Sequence, residues 1–125
     1  MVIRTRTAHV SLVDGWCVAI RVERDMVQSL ADARENIAAT IVVSGSKRRP
    51  LFVDISTCGP LEPEARHYYS GEVLDAFTAQ ALLVEPTPVG RAMFDVYVRV
   101  AKPSIPTRVF QREDEALAWL RGAAP

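Results

Sequence analysis

The sequence predicts a single α/β domain: a mixed sheet of five strands that begins with an antiparallel hairpin and has helices packed on it. Three observations support this fold class. Polar and apolar residues alternate before Asp14-Gly15, the apolar runs 51–55 and 79–84 have the length of buried strands, and helical patterns separate those runs. The chain has 125 residues and no internal repeat or long linker, so we expect one domain over residues 1–125.

The first elements are predicted as strands at 7–13 and 16–22, followed by a helix at 30–42. Asp-Gly between the strands is typical of a two-residue hairpin turn, because both residues tolerate positive φ. Ser29 and Asp32 form a capping pair at the start of the helix. The residues expected on its buried face recur at helical spacing: Leu30, Ala33, Ile37 and Ile41.

After the strand at 51–55, helices and strands alternate. The predicted elements are helix 64–70, strand 79–84, helix 89–101, strand 108–111 and helix 113–121. Pro63 and Pro88 stand where the first turn of a helix tolerates proline, and we expect Trp119 and Leu120 to dock the last helix on the sheet. The order ββαβαβαβα implies parallel strand pairs joined by right-handed crossovers.

Charge and cysteine content narrow the functional classes. Lys plus Arg and Asp plus Glu number 15 each, and this zero net charge argues against capture of nucleic acid by bulk electrostatics. No apolar run approaches the ~20 residues of a membrane span, and the N-terminus has no signal-peptide core, so we expect a soluble cytoplasmic protein. Cys17 and Cys58 are therefore expected to be free thiols.

Four short sequence features follow one another along the chain. They are Leu-Phe-Val-Asp-Ile-Ser at 51–56, Glu-Ala-Arg at 64–66, Lys-Pro at 102–103, and the C-terminal set Phe110, Glu115-Ala116-Leu117 and Trp119-Leu120. Over nearly the whole chain they resemble the SpoIIAA-like branch of the STAS superfamily. That superfamily is known for anti-sigma-factor antagonists, and Sec14-like proteins are often named beside it. The resemblance implies a SpoIIAA-like fold and a bacterial regulatory, protein-binding role.

The chain departs from the sigma-regulatory members at one position. Those members carry a phosphorylatable serine at the start of the helix that follows the strand aspartate, which is Asp54 in this sequence. Pro63 and Glu64 occupy that place, and neither has a hydroxyl group to modify. We therefore expect this chain to lack the usual phosphorylation switch.

The loop after the strand at 51–55 is the predicted ligand or partner site. Ligands of open α/β sheets tend to bind beyond the carboxyl ends of parallel strands, and residues 56–62 form that loop. The candidate residues in this loop and on the short helix after it are Ser56, Thr57, Cys58, Arg66 and Tyr69. Hydroxyls at a strand end usually satisfy backbone groups, and an arginine and a tyrosine at this spacing are more often structural than ligand-binding.

A thiol enzyme is the best catalytic interpretation that the residues offer. Cys58 lies a few residues before a helix N-terminus, a position that can lower the pKa of a thiol, and His67 follows within that helix. The two residues are not at metal-ligand spacing, and no third catalytic group is identifiable. We therefore predict no catalytic residue, no metal and no cofactor.

The helix at 89–101 is apolar over most of its circumference. One stripe is expected to pack on the sheet: Val89, Ala92, Met93, Val96 and Val100. Phe94, Tyr97 and Val98 continue the apolar surface beyond it, so we predict that they meet a second copy, a partner protein or an apolar ligand. A symmetric homodimer is favoured, because closed twofold pairs are the commonest assemblies. The alternative is that the turn at 101–106 covers them.

Three functions remain open from the sequence. The first is a non-enzymatic regulatory or protein-binding module of SpoIIAA-like type. The second is a module of Sec14-like character that binds a small apolar molecule between helices and sheet. The third is a thiol-dependent enzyme or redox sensor that uses Cys58.

Overall fold

A computed structural model describes residues 1–123 of the protein, with the side chains of all of them except Met93 and Ala123. The strands are β1 (Val2–Arg4), β2 (Ala8–Val13), β3 (Cys17–Val22), β4 (Arg49–Asp54), β5 (Phe77–Leu83) and β6 (Thr107–Phe110). The helices are α1 (Leu30–Ser44), α2 (Pro63–Tyr69), α3 (Pro88–Ala101) and α4 (Glu113–Ala123), and a 3-10 helix (Glu72–Ala76) follows α2.

The strands form one mixed sheet in which spatial order equals chain order, from β1 to β6. The pairs β1–β2 and β2–β3 are antiparallel, whereas β3–β4, β4–β5 and β5–β6 are parallel. The predicted hairpin is confirmed, with Asp14 at φ 49° and Gly15 at φ 76° and the Trp16 amide donating to the Val13 carbonyl at 3.0 Å. Its predicted two-residue connection is wrong, because Val13 pairs with Cys17 and the three residues 14–16 join the strands. Each parallel pair is joined by a segment that contains a helix, as the alternation of elements predicts.

The predicted fold class is confirmed, but the predicted number of five strands is wrong, because the described chain forms six. The additional strand, β1, pairs antiparallel with β2. It has three residues, which is too short to show an alternating pattern, and it lies at the edge of the sheet. The 3-10 helix was also missed, since five residues of that geometry carry no periodic signal.

The two faces of the sheet are covered by different helices, as strand alternation requires. The apolar cluster on one face contains residues of β2, β3, β4, α1 and the 3-10 helix. On the other face Cys17, Ala19 and Phe52 pack with α4, whose Leu120 is completely buried. Trp119 packs against Phe110, with ring centroids 5.8 Å apart, so the predicted docking of α4 through Trp119 and Leu120 is confirmed.

The buried face of α1 differs from the predicted one. The Ser29 capping box is present, and Ala33 and Ile37 are buried. Ile41 is 49% exposed, so its predicted burial is wrong. Its place on the inner face is taken by polar residues, namely Asp32, Asn36, Thr40 and Ser44. Apolar periodicity could not reveal this face, because its buried side chains are polar and find hydrogen-bond partners within the protein instead of apolar contacts.

The predicted orientation of α3 is also wrong. Val89, Val96 and Val100 are 69%, 52% and 75% exposed, whereas Phe94 and Val98 pack inward against Leu82, Val84 and Val109 of the sheet side. Ala92 is exposed as well, and the Met93 side chain lies outside the described set. Because α3 is apolar on nearly all sides, periodicity alone could not decide which side packs inward.

Candidate functional site

A cavity of about 60 Å³ lies between the sheet and the helices on the α1 side. Its sheet wall is formed by Ile20, Leu51, Val53 and Leu82. Its helical wall is formed by Ile37 of α1, Tyr69 of α2, Leu74 of the 3-10 helix, and Phe94, Tyr97 and Val98 of α3. Most of this wall is apolar, and α3 closes the cavity on one side. We take this cavity as the candidate site.

A buried polar network stands at the α1 end of the cavity, with Asn36 at its centre. The Asn36 side chain is inaccessible to solvent. Its Nδ2, which carries two hydrogens, lies within hydrogen-bond distance of three acceptors: Thr7 Oγ1 at 3.1 Å, Gln28 Oε1 at 3.0 Å and the Tyr69 hydroxyl at 3.0 Å. Its Oδ1 accepts from the Thr5 hydroxyl. The network thereby connects α1 to the segment between β1 and β2 and to α2.

Tyr69 and Gln28 connect this network to the cavity wall. The Tyr69 hydroxyl donates to Gln28 Oε1 at 2.6 Å, so that oxygen accepts from both Tyr69 and Asn36. Burial raises the pKa of Tyr69 to about 12, and the phenol is therefore neutral at physiological pH. The network is uncharged where it meets the cavity.

A second carboxamide, Gln80, enters the cavity wall from β5. Its Nε2 lies 3.5 Å from Thr107 Oγ1, at the long limit of a hydrogen bond, and Thr107 also lines the cavity. Gln80 is buried between apolar neighbours, with Ala79 and Ala81 on the opposite face of the strand. The cavity thus carries two buried carboxamides, one on each of two different elements.

The structure places some of the predicted site residues in the cavity wall and others away from it. Tyr69 from the predicted loop site and Phe94, Tyr97 and Val98 from the predicted partner face all line the one cavity. The sequence analysis had placed these residues in two unrelated sites. Phe94 and Val98 therefore face the sheet side instead of a neighbouring protein, and this corrects the surface proposed for a homodimer.

The other predicted loop residues do not line the cavity. Ser56 donates from its amide and its hydroxyl to Asp54 Oδ1, at 3.1 and 2.6 Å, which is the expected structural use of a hydroxyl at a strand end. Thr57 is exposed, and its carbonyl accepts from the Asp25 amide. The Arg66 side chain is exposed, while its carbonyl accepts from the Tyr97 hydroxyl at 3.4 Å.

The environment of Cys58 does not favour thiol chemistry. Burial raises the pKa of its thiol to about 11, and the thiol donates weakly to the Ile55 carbonyl at 3.4 Å. A position before a helix N-terminus can lower the pKa of a thiol, but burial has the larger effect here. His67 is exposed beside Arg34 and Glu64 in a shallow depression between α1 and α2, away from the cavity wall. Residues 1–123 contain no cluster of three or more His, Cys, Asp or Glu side chains that could hold a metal ion.

Sequence reasoning missed Gln28 and Gln80. For Gln80 a signal existed, since it interrupts an otherwise apolar strand, and a polar side chain in such a run is expected to have a specific partner. Gln28 lies in the irregular segment before α1, where a glutamine is unremarkable. Its side chain is 2% exposed, and this burial depends on the positions of α2 and the N-terminal strands.

The sequence profile of DUF7793, a domain of unknown function, matches residues 10–124. The chain belongs to the DUF7793 family. No curated protein matches this DUF7793 chain. Within the described residues, no helix has both the length and the apolar character needed to cross a membrane.

A solved structure supports the fold assignment of this DUF7793 protein. It is the crystal structure of an uncharacterized protein of the DUF3478 family from Shewanella loihica PV-4, which has a SpoIIAA-like fold. The two chains superimpose with a TM-score of 0.61 over 96% of this chain and 90% of the other, at 14% sequence identity. The resemblance predicted from the sequence is confirmed at the level of the fold: this chain has a SpoIIAA-like fold.

Proposed function

We propose that this protein is a non-enzymatic binding module that holds a small apolar ligand in the cavity beneath α3. The observation that carries the proposal is the cavity itself, which has an apolar wall drawn from the sheet and three helices. Concave, mostly apolar sites with a few placed polar groups are typical of small-molecule binding. The raised pKa of the Cys58 thiol supports a binding role over a thiol enzyme.

The size of the cavity bounds the ligand. Its 60 Å³ is less than half of the roughly 150 Å³ that hold a benzene molecule in an engineered apolar cavity. A group of a few heavy atoms fits the closed form, and a longer body requires α3 to move outward. Phe94 and Val98 are the described side chains by which α3 packs into the cluster of Leu82, Val84 and Val109. Such movement would break few contacts.

Native mass spectrometry of the protein purified from its source tests the proposal. We expect a bound apolar compound that is lost in Val98→Phe, because the added ring carbons fill the cavity. The matched control is Val96→Phe on the exposed side of the same helix, which should retain the compound. A protein that carries no compound and does not bind xenon, a small apolar probe of such cavities, would contradict the proposal.

Protein binding is the second candidate, and the exposed side of α3 favours it. Val89, Val96 and Val100 form what we call the α3 stripe, an apolar row on a helix whose opposite side packs on the sheet. The occupant that fits best is a second copy. In an antiparallel pair of α3 helices centred between residues 94 and 95, Val89 lies opposite Val100 of the other copy.

One helix per copy buries less surface area than the ~800 Å² per partner of a standard interface, so we expect a weak dimer. Light scattering should show association at high concentration that Val96→Glu abolishes. A wild-type protein that stays monomeric there would exclude the homodimer.

A further inference from the structure

We infer that the ligand of the cavity is an uncharged molecule with a small apolar body and a hydrogen-bonding oxygen, selected by the carboxamides of Gln28 and Gln80. This inference rests on the proposed function, because it names the chemical class that the same cavity takes. Three observations carry it: a donor on Gln28, an acceptor on Gln80 and the absence of formal charge along the cavity wall.

Gln28 supplies the donor. The residue is 98% buried, since 2% of its surface is accessible, and it lines the cavity. Its Oε1 is occupied by Asn36 Nδ2 and the Tyr69 hydroxyl, and this arrangement fixes which end of the carboxamide is oxygen. Its Nε2 has no hydrogen-bond partner among residues 1–123. This nitrogen is not among the fully buried side-chain atoms without a partner, so it keeps some accessible surface at which an acceptor from a ligand can bind.

Gln80 supplies the acceptor. Its Nε2 is directed to Thr107 Oγ1, and its Oε1 has no hydrogen-bond partner in the described part of the chain. Gln80 is buried and lines the same cavity as Gln28. The two carboxamides together can serve a carbonyl through the Gln28 amide nitrogen, or a hydroxyl or primary amide through both. A pure hydrocarbon would leave both groups without a partner.

The cavity wall has no counter-ion for a charged ligand. None of the described side chains that line it is an Asp, Glu, Lys, Arg or His. Transfer of an ionised carboxylate into such surroundings costs several kcal/mol or more when no opposite charge is near. Fatty-acid anions and phosphorylated compounds are thereby disfavoured, while neutral alcohols, ketones, esters and amides are compatible with the site.

Four probes of one shape test the inference: isobutane, acetone, propan-2-ol and acetate. Each has four heavy atoms around a central carbon, so they differ in polarity and charge more than in size. Binding is followed by methyl NMR shifts of Leu82 and Val98, which line the cavity. We expect acetone to bind roughly five to ten times more tightly than isobutane, the gain of one buried hydrogen bond. Propan-2-ol should bind more tightly than acetone, because its hydroxyl can also donate to Gln80 Oε1. Acetate should bind at least ~100-fold more weakly than acetone.

Two variants assign the preference to the carboxamides. Gln28→Met removes the free donor and should bring the affinity ratio of acetone to isobutane near one. Gln28 also accepts hydrogen bonds from Asn36 and Tyr69, so Gln28→Met removes bonds that stabilise the fold. A second variant, Gln80→Met, leaves those bonds in place and should reduce the preference for propan-2-ol over acetone. Gln111→Met is the control, since Gln111 lies outside the cavity wall and donates to the Glu85 and Thr87 carbonyls, and it should leave every ratio unchanged.

The outcomes separate this inference from the proposed function. If isobutane binds but acetone and propan-2-ol gain nothing over it, the selectivity is refuted and the apolar site stands. Acetate binding as tightly as acetone would refute the selectivity too, as would ratios unchanged in both glutamine variants. If none of the probes binds, ordered water fills the cavity, and the proposed function fails together with this inference.

Discussion

Replacement of Asn36 by alanine is expected to be among the most destabilising single changes in this protein. Asn36 is completely buried in α1, and its carboxamide makes hydrogen bonds to side chains of Thr5, Thr7, Gln28 and Tyr69. The alanine variant loses the two hydrogens of Nδ2 and the acceptor Oδ1, and it leaves a small void where the carboxamide was. The Thr7 hydroxyl, itself inaccessible to solvent, then loses its bond to Asn36.

The expected magnitude follows from the number of bonds. Each intramolecular hydrogen bond contributes about 1 kcal/mol net, and the void adds a further fraction, so we expect a loss of about 3 to 5 kcal/mol. The assay is urea unfolding followed by circular dichroism. With an m-value of about 2 kcal/mol per molar urea, the midpoint should fall by roughly 1.5 to 2.5 M without a change of slope.

Tyr69→Phe is the matched control within the same network. It removes one hydroxyl that donates to Gln28 and accepts from Asn36, but those two side chains keep their bond to each other. We expect a loss of about 1 to 2 kcal/mol. The reasoning is refuted if Asn36→Ala costs less than ~1 kcal/mol, or if Tyr69→Phe costs as much as Asn36→Ala.

Three further predictions follow from single contacts. Phe94→Ala should cost about 2 to 4 kcal/mol, whereas Val96→Ala on the exposed side should change the free energy of unfolding by less than ~0.5 kcal/mol; equal effects in urea unfolding would contradict the orientation of α3. The Arg6 guanidinium bonded to Asp32 holds the pKa of that carboxyl well below its usual range, so its stabilising effect is complete above about pH 5 and is lost as the pH falls below ~4. In Asp32→Asn the free energy of unfolding should therefore fall less than in the wild type as the pH drops below ~4. An equal fall in both proteins would contradict the assignment. With its pKa raised to about 11, Cys58 should react with a disulfide reagent at pH 8 on the order of 100-fold more slowly than free cysteine, and a comparable rate would show an exposed thiolate.

The sequence by itself determined the fold class and most of the elements. The Asp14-Gly15 turn, the Ser29 capping box and the proline at the start of α2 and α3 were readable because their chemistry is local. A turn or a cap needs only a few consecutive residues to satisfy its backbone groups. The three-residue strand β1 was not predicted, because an edge strand of that length is too short to show an alternating pattern.

The tertiary structure alone decided what the helices face and where the site lies. Periodicity identified α3 as apolar on nearly every side but could not choose its inner side, and the packing of Phe94 and Val98 on the sheet made that choice. Gln28 and Tyr69 are 41 residues apart, and no local rule pairs them. Their hydrogen bond exists because α2 packs on α1 and brings both side chains to one buried place. A cavity and its polar partners depend on distant elements meeting, so short-range sequence rules carry no information about them.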